Sequence, residues 1–242
     1  MTSIQNSQTS EKMANTMVWL TASLLVLVWT DASAAMDPQK VFKYYKAMKT
    51  KYPLNNMYSM ALRIQGPNNN EDPSSFFQGL DSVNNVKRVF QQDRVFVSDR
   101  VMAARPRPNE WTTDHAEARV ANLLRSWYNQ NQLNRDWILF YVKASPCATK
   151  CADPKHPGNI LGEIAKLKKW SRFAFVFSDV FQPNPNNQNA QGKVFQFTEE
   201  DQKNALKQVA KRIGRRNIFR CNNNTCVKCF NKNGIDTFCI SG

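Results

Sequence analysis

Three scarcities narrow the reading of this 242-residue chain before any motif is considered. Histidine occurs only twice, at His115 and His156, so any imidazole ligand or base must come from one of those positions. Acidic side chains are few: 19 Asp and Glu stand against 33 Lys and Arg, a formal charge of +14 that disfavours polycationic partners and favours polyanions. Hydrophobic runs are short as well. The stretch from Met17 to Trp29 is uncharged, yet it falls below the roughly 20 residues that a membrane-spanning helix needs. Internal repeats and a second block of distinct composition are also missing, which argues against several domains.

What is present begins with an export signal. The apolar run is followed by Ala32-Ser33-Ala34, a small-x-small site, so residues 1–34 read as a secretory signal peptide. Ahead of the run Lys12 is the one cation and Glu11 offsets it. Met13 is an alternative start, and an uncleaved anchor is the rival reading. Cleavage would remove Lys12, Glu11 and Asp31, raising the formal charge from +14 to +15. It would leave residues 35–242 as a single domain, large enough for one sizeable core and with no stable membrane association.

Four of the six cysteines, Cys221, Cys226, Cys229 and Cys239, crowd the segment 221–242. In a secreted chain an even set predicts two disulfides, with three pairings open; in a reducing compartment the same spacing would suggest a structural Cys₄ zinc. The sequon Asn223-Asn224-Thr225 lies within this segment, where a glycan would require exposure.

The other two cysteines carry the chemistry. His115-Ala116-Glu117 is followed some thirty residues later by Ser145-Pro146-Cys147-Ala148-Thr149-Lys150-Cys151. The pattern supplies one imidazole and two thiolates for Zn²⁺, plus a carboxylate, Glu117, that is free to move protons; together they predict a hydrolytic nucleobase deaminase site. Three residues separate the cysteines where two are usual, but i and i+4 share a helix face as i and i+3 do. Local signals place both half-sites at helix starts: Ser145 as N-cap before Pro146, and Asp114 before the apolar series Ala118, Leu123, Leu124, Trp127. A helix N-terminus there would lower the thiol pKa. Rival readings are an Asp114/Glu117 capping box, a Cys147–Cys151 disulfide, and His156 in place of His115.

The scaffold reads as α/β. Residues 37–50 are expected to be helical, 57–65 a strand, 66–79 a polar loop, and 86–98 a long or bent strand. Then follow the His115 helix, a strand from Trp137 to Val142, the Cys147 helix to about Lys169, a strand from Phe173 to Phe177, a helix from Glu199 to Ile213, and a strand from Asn217 to Phe219. Unbroken apolar runs alternating with helices predict an α/β/α sandwich around a five-stranded mixed sheet. A helix between the last two strands makes them a parallel crossover pair.

His115-Ala116-Glu117, Ser145-Pro146-Cys147 with Cys151, the crossover helix and the basic balance resemble the AID/APOBEC polynucleotide cytidine deaminases. With residues 17–34 and the cysteine-rich tail, the chain most resembles their secreted branch, the secreted novel AID/APOBEC-like deaminases. The resemblance spans roughly residues 55–220. It implies zinc on His115, Cys147 and Cys151, Glu117 as proton shuttle, cytosine as the base, and single-stranded DNA or RNA as substrate. Nucleoside deaminases of the superfamily usually end their sheet in an antiparallel hairpin instead of this crossover. Relatives commonly carry Ser-Trp-Ser-Pro-Cys, and here Ala144 replaces the pocket Trp.

For substrate contact the sequence offers Ser145, a loop over 178–192 with Asp179 and Phe181, and a basic helix face of Lys203, Lys207 and Lys211. An ordinary Asn/Pro/Gln loop and a solvated helix face are the plain alternatives. Phe173, Phe175 and Phe177 read as core. A free-nucleoside deaminase and a catalytically silent, basic extracellular binding protein stand as the alternative functions.

Overall fold

Asp37 opens the first helix by accepting a hydrogen bond from the Gln39 backbone, and Pro38 in the first turn lacks an N–H that would have no partner there. Helix α1 (Pro38–Lys51) buries Val41, Tyr44, Tyr45 and Met48, a stripe at three- and four-residue spacing. A computed structural model of the chain describes residues 35–66, 72–108, 113–183 and 196–241. After α1 come β1 (Ser59–Ile64), α2 (Pro73–Gln78), α3 (Val83–Gln91), β2 (Phe96–Val97) and β3 (Val101–Ala104). A two-stranded hairpin follows, β4 (Arg107–Pro108) with β5 (Thr113–Asp114), then α4 (Ala116–Leu123), α5 (Gln130–Leu133) and β6 (Trp137–Ala144). The chain continues through α6 (Leu161–Ile164), β7 (Arg172–Asp179), α7 (Glu199–Ile213), β8 (Ile218–Cys221), β9 (Cys226–Lys228), and a second hairpin of β10 (Phe230–Asn231) and β11 (Gly234–Ile235).

The principal sheet has the order β2-β3-β1-β6-β7-β8-β9. Strands β6, β7 and β8 are mutually parallel; the other neighbours are antiparallel. The crossover through α7 therefore joins a parallel pair, as the sequence predicts. Side-chain alternation along β6 divides the interior between two layers. Ile138, Phe140 and Val142 pack with residues of α4, α6 and α7, whereas Trp137, Leu139 and Tyr141 pack with residues of α1, α2 and α3. This is the expected sandwich. Phe173, Phe175 and Phe177 all lie in the α4/α6/α7 layer as core. No helix among the described residues is long and apolar enough to cross a membrane.

The sheet has seven strands where the sequence predicts five, and the difference has two local causes. The expected strand over 86–98 is instead α3 followed by two short strands. Ser82 accepts from Asn85 N to cap the helix, and Val86 and Phe90 recur at i, i+4, so the first part of the stretch expected as a long or bent strand is helical. The other addition is β9, which the tail lays beside β8. Within the expected loop 66–79, Asp72 caps α2 through Ser74 N, again with proline in the first turn.

Candidate active site

The registers Ser59↔Ala104 and Ser59↔Val142 bring the start of β1 level with the ends of β3 and β6. Ser145 N donates to Asp179 O, so the end of β7 lies level with them too. The C-terminal ends of parallel strands are where α/β sheets usually bind ligands. Both halves of the motif follow strands that end at this edge: Cys147 comes directly after β6, and His115 comes after the separate β4–β5 hairpin that continues from β3.

His115 is the N-cap residue of α4, its side chain making no cap hydrogen bond, and Glu117 sits in the first turn, buried. Because His115 and not Asp114 is the N-cap, the helix start is not the expected Asp114/Glu117 capping box, and the Asp114 carboxylate accepts from Arg107 Nη2 at 2.8 Å. On the other side, Cys147 and Cys151 belong to a run of turns, not to the helix predicted from Cys147 to Lys169. Pro154, Pro157 and Gly158 prevent a continuous helix, which is confined to α6 and a 3₁₀ segment, Ala165–Lys169. The turn nonetheless closes the four-residue interval. Ala152 N donates to Cys147 O at 3.0 Å and Cys151 N to Cys147 Sγ at 3.2 Å, which folds the second sulfur back onto the first.

The result is a tight donor cluster. Cys147 Sγ and Cys151 Sγ lie 3.1 Å apart and remain unbridged; Cys151 Sγ lies 2.9 Å from His115 Nδ1; Glu117 Oε1 lies 3.6 Å from the same nitrogen. Donor atoms of His115, Glu117 and Cys151 all fall within 4.8 Å of one another, a spacing that one metal ion could bridge. Cys147, the third ligand expected from the sequence, is not one of these three; its sulfur lies against that of Cys151. The expected trio of His115, Cys147 and Cys151 suits zinc chemically, since a borderline-soft ion favours thiolate with imidazole, and three such ligands would leave a coordination position for water or substrate. His156 is committed elsewhere, its Nδ1 accepting from Gly158 N at 2.9 Å.

Electrostatics favour the ligating forms. Hydrogen bonding with Cys151 outweighs burial and, aided by the Cys151 backbone N–H, brings the Cys147 thiol down to about 6. The same contact, together with burial, pushes Cys151 strongly upward. The expected helix N-terminus does not supply this effect; the Cys151 sulfur does, with the turn N–H adding to it. Burial opposes the charged form of His115, but the Glu117 carboxylate beside it raises its pKa overall.

The residues predicted for substrate contact are distributed unevenly. Ser145 is not an N-cap: its buried hydroxyl accepts from Phe181 N at 2.9 Å and faces Gln202 Oε1 at 3.3 Å, bracing the β7 exit against α7. Phe181 packs on Phe197, ring centroids 5.9 Å apart, and is partly buried. Asp179 remains largely exposed, with Lys143 Nζ at 3.6 Å from its carboxylate. Residues 184–192 of the predicted loop lie outside the described residues. On α7, Glu200 lies 3.8 Å from Lys203 Nζ and 3.6 Å from Lys207 Nζ, and Lys211 is exposed.

Several braces have no local sequence signal because their partners are distant in the chain. Arg119 on α4 donates to Arg105 O at 2.7 Å and to Asp93 O, and Lys150 donates to Thr113 O at 3.0 Å, tying the two half-sites together. Gln202 donates to Phe181 O at 2.7 Å. Across the sheet, Ser178 Oγ bonds the hydroxyls of Tyr45 and Tyr141, while Lys49 donates to the Tyr58 hydroxyl.

The tail sulfurs pair as Cys221–Cys226 and Cys229–Cys239, which removes the Cys₄ zinc alternative. Asn223 is exposed in the β8–β9 turn. No curated protein matches the chain. A family profile described as Secreted Novel AID/APOBEC-like Deaminase 1, however, matches residues 39–242. That match takes in both site segments, the crossover helix and the disulfide-bonded tail, and the chain therefore belongs to this family of AID/APOBEC-like deaminases.

Proposed function

We propose that the protein is a secreted, zinc-dependent deaminase that hydrolyses cytosine to uracil in single-stranded DNA or RNA. The convergence of His115, Glu117 and Cys151 within 4.8 Å, with Cys147 against Cys151, carries this reading. His115, Cys147 and Cys151 would hold the ion, whose Lewis acidity brings the ionisation of water down to about pH 7.

Glu117 then acts as base and acid in turn. Its carboxylate takes a proton from the attacking water as the new bond to C4 of cytosine forms, and delivers that proton to ring N3. The new C4 hydroxyl then gives up its proton, which passes through the same oxygens to the departing amine as the C4–N bond breaks, releasing ammonia and leaving the C4 carbonyl of uracil. Burial of Glu117 keeps bulk water from competing for the proton.

The strand as substrate is supported by the formal charge of +14 and by the parallel β7–β8 crossover, the feature that resembles polynucleotide deaminases. Export is supported by the small-x-small site after the apolar run and by the two tail disulfides. The test incubates zinc-loaded residues 35–242 with single-stranded DNA, single-stranded RNA and cytidine in parallel, with Glu117→Ala as control. Uracil and ammonia are expected from a strand and not from the variant. Turnover of cytidine alone would assign a nucleoside deaminase, and bound zinc without turnover on any of the three would assign a basic binding protein.

A further inference from the structure

A cavity of about 350 Å³ opens at the same sheet edge, on the α3 side. It lies toward the lower end of the ~300–1,000 Å³ range of small-molecule sites, a size suited to one nucleotide. Its walls are the segment leading from α1 into β1, the outer face of α3, and Arg105 after β3. From these walls the cavity takes three carboxamides, Asn55, Asn56 and Gln91, an exposed thioether, Met57, and two cations, Lys87 and Arg105.

The lining is informative in kind. Among the described residues, no carboxylate lines the cavity. Carboxamides pair with the donor and acceptor edge of a base, an apolar floor of Met57, Leu54 and Phe90 accommodates its faces, and a cation suits the phosphate. Arg105 is neutralised by Asp93, its Nη2 2.5 Å from Oδ1, whereas Lys87 is exposed on the other wall.

The cavity is also wired to the catalytic helix. Asp93 sits at φ +51°, a conformation uncommon outside glycine, in the turn that closes α3. Its carboxylate holds Arg105 and its carbonyl accepts from Arg119, which also holds Arg105 O. Arg119 lies two residues beyond Glu117 on α4, so one clamp fixes the wall of the cavity relative to the proton carrier. The start of β1, level with Val142 at the end of β6, fixes the opposite wall relative to the Cys147 turn.

We infer that this cavity is a second, non-catalytic nucleotide subsite, taking a nucleotide of the same single strand whose cytosine enters the zinc site. The inference rests on the polynucleotide reading above. It assigns strand recognition to a surface separate from the face of α7 that carries Lys203, Lys207 and Lys211.

Binding and turnover test it separately. A short, fluorescein-labelled oligothymidylate lacks cytosine, so its anisotropy reports affinity for the zinc-loaded protein without reaction. Lys87→Glu and the near-isosteric Asn56→Asp alter exposed side chains, and each is expected to weaken binding about tenfold, with an unchanged melting temperature. Lys232→Glu, the same charge change on the exposed tail, controls for general electrostatics and should have a much smaller effect. An oligothymidylate carrying 5-iododeoxyuridine should photocrosslink to peptides containing residues 53–58 or 87–91, and excess thymidine 5′-monophosphate should compete poorly. Equal losses for Lys87→Glu and Lys232→Glu, or crosslinks confined to other segments, would overturn the subsite. Efficient competition by the monophosphate would replace a strand subsite with a free-nucleotide site. Crosslinks at the cavity without deamination of any strand would leave the subsite standing and remove the proposed reaction. Deamination of strands without those crosslinks would do the reverse.

Discussion

At the residue scale the division of labour between ligands and proton carrier is open to direct measurement. Glu117→Gln keeps the size and much of the hydrogen bonding of the side chain but cannot carry the proton; it should retain zinc and lose about 10²- to 10⁴-fold in turnover. Cys147→Ser should lose zinc, because a neutral hydroxyl replaces the thiolate that the Cys151 N–H stabilises. Metal content and rate measured on both variants check the assignment, and loss of zinc from Glu117→Gln would make that carboxylate a ligand. The identities of the cluster were legible in the sequence because the chemistry dictates them: few combinations of imidazole, thiolate and carboxylate perform this hydrolysis. The role of Ser145 was not, since its partners, Phe181 N and Gln202, lie 36 and 57 residues away. Nor was the way the cysteines converge. The i, i+4 interval is met by a turn, and the two prolines that exclude a helix are both present in the sequence.

At the scale of elements, α7 was fully legible and α3 was not. Thr198 and Asp201 form a reciprocal capping box, and the apolar positions Leu206, Val209 and Ile213 repeat at helical spacing, so cap and stripe agree. In α3 both signals exist, but only Val86 and Phe90 are buried, and the valines within 83–97 mimic a strand. The cap on α7 yields a pH prediction. Hydrogen bonds from Thr198, side chain first and then backbone, lower the Asp201 pKa below its ordinary 3.8. A carboxylate depressed on folding adds stability that is fully present above that ordinary value and is lost as pH falls through the folded value. Thermal melting of wild type and Asp201→Asn from neutral pH downward should therefore differ most at neutrality and converge in acid. Thr198→Ala should cost about 1 kcal/mol at neutral pH. A gap that widened on acidification would assign the opposite sign.

For residues 35–242 together, the tail stitches both layers to the sheet. Cys221 and Cys226 face each other across the β8–β9 pair and lie in the α1 layer of the core; Cys229 and Cys239 lie in the α7 layer. Arg220 adds a polar tie, donating to Ser178 O at 2.9 Å and to the carbonyls of Phe238 and Ser241, so the chain end is held against the β7 exit beside the active site. The sequence predicted the bridges but not their pairing, because pairing depends on register: Cys221 opposite Cys226 requires the antiparallel β9 that no apolar run announced. The two bridges should contribute unequally. They span 5 and 10 residues, and doubling a loop adds only about 0.6 kcal/mol of closure entropy, but the Cys229–Cys239 sulfurs are also wholly buried in the larger layer. Removing that bridge with paired alanines should cost about 2 to 4 kcal/mol or more, since lost packing adds to lost constraint. The Cys221/Cys226 pair should cost less. Amide exchange should locate the damage differently: faster exchange in β10, β11 and the end of α7 for the first double variant, in β9 and the facing part of α1 for the second. Equal losses of melting temperature with identical exchange patterns would mean that the tail acts as one unit and not as two stitches on opposite faces.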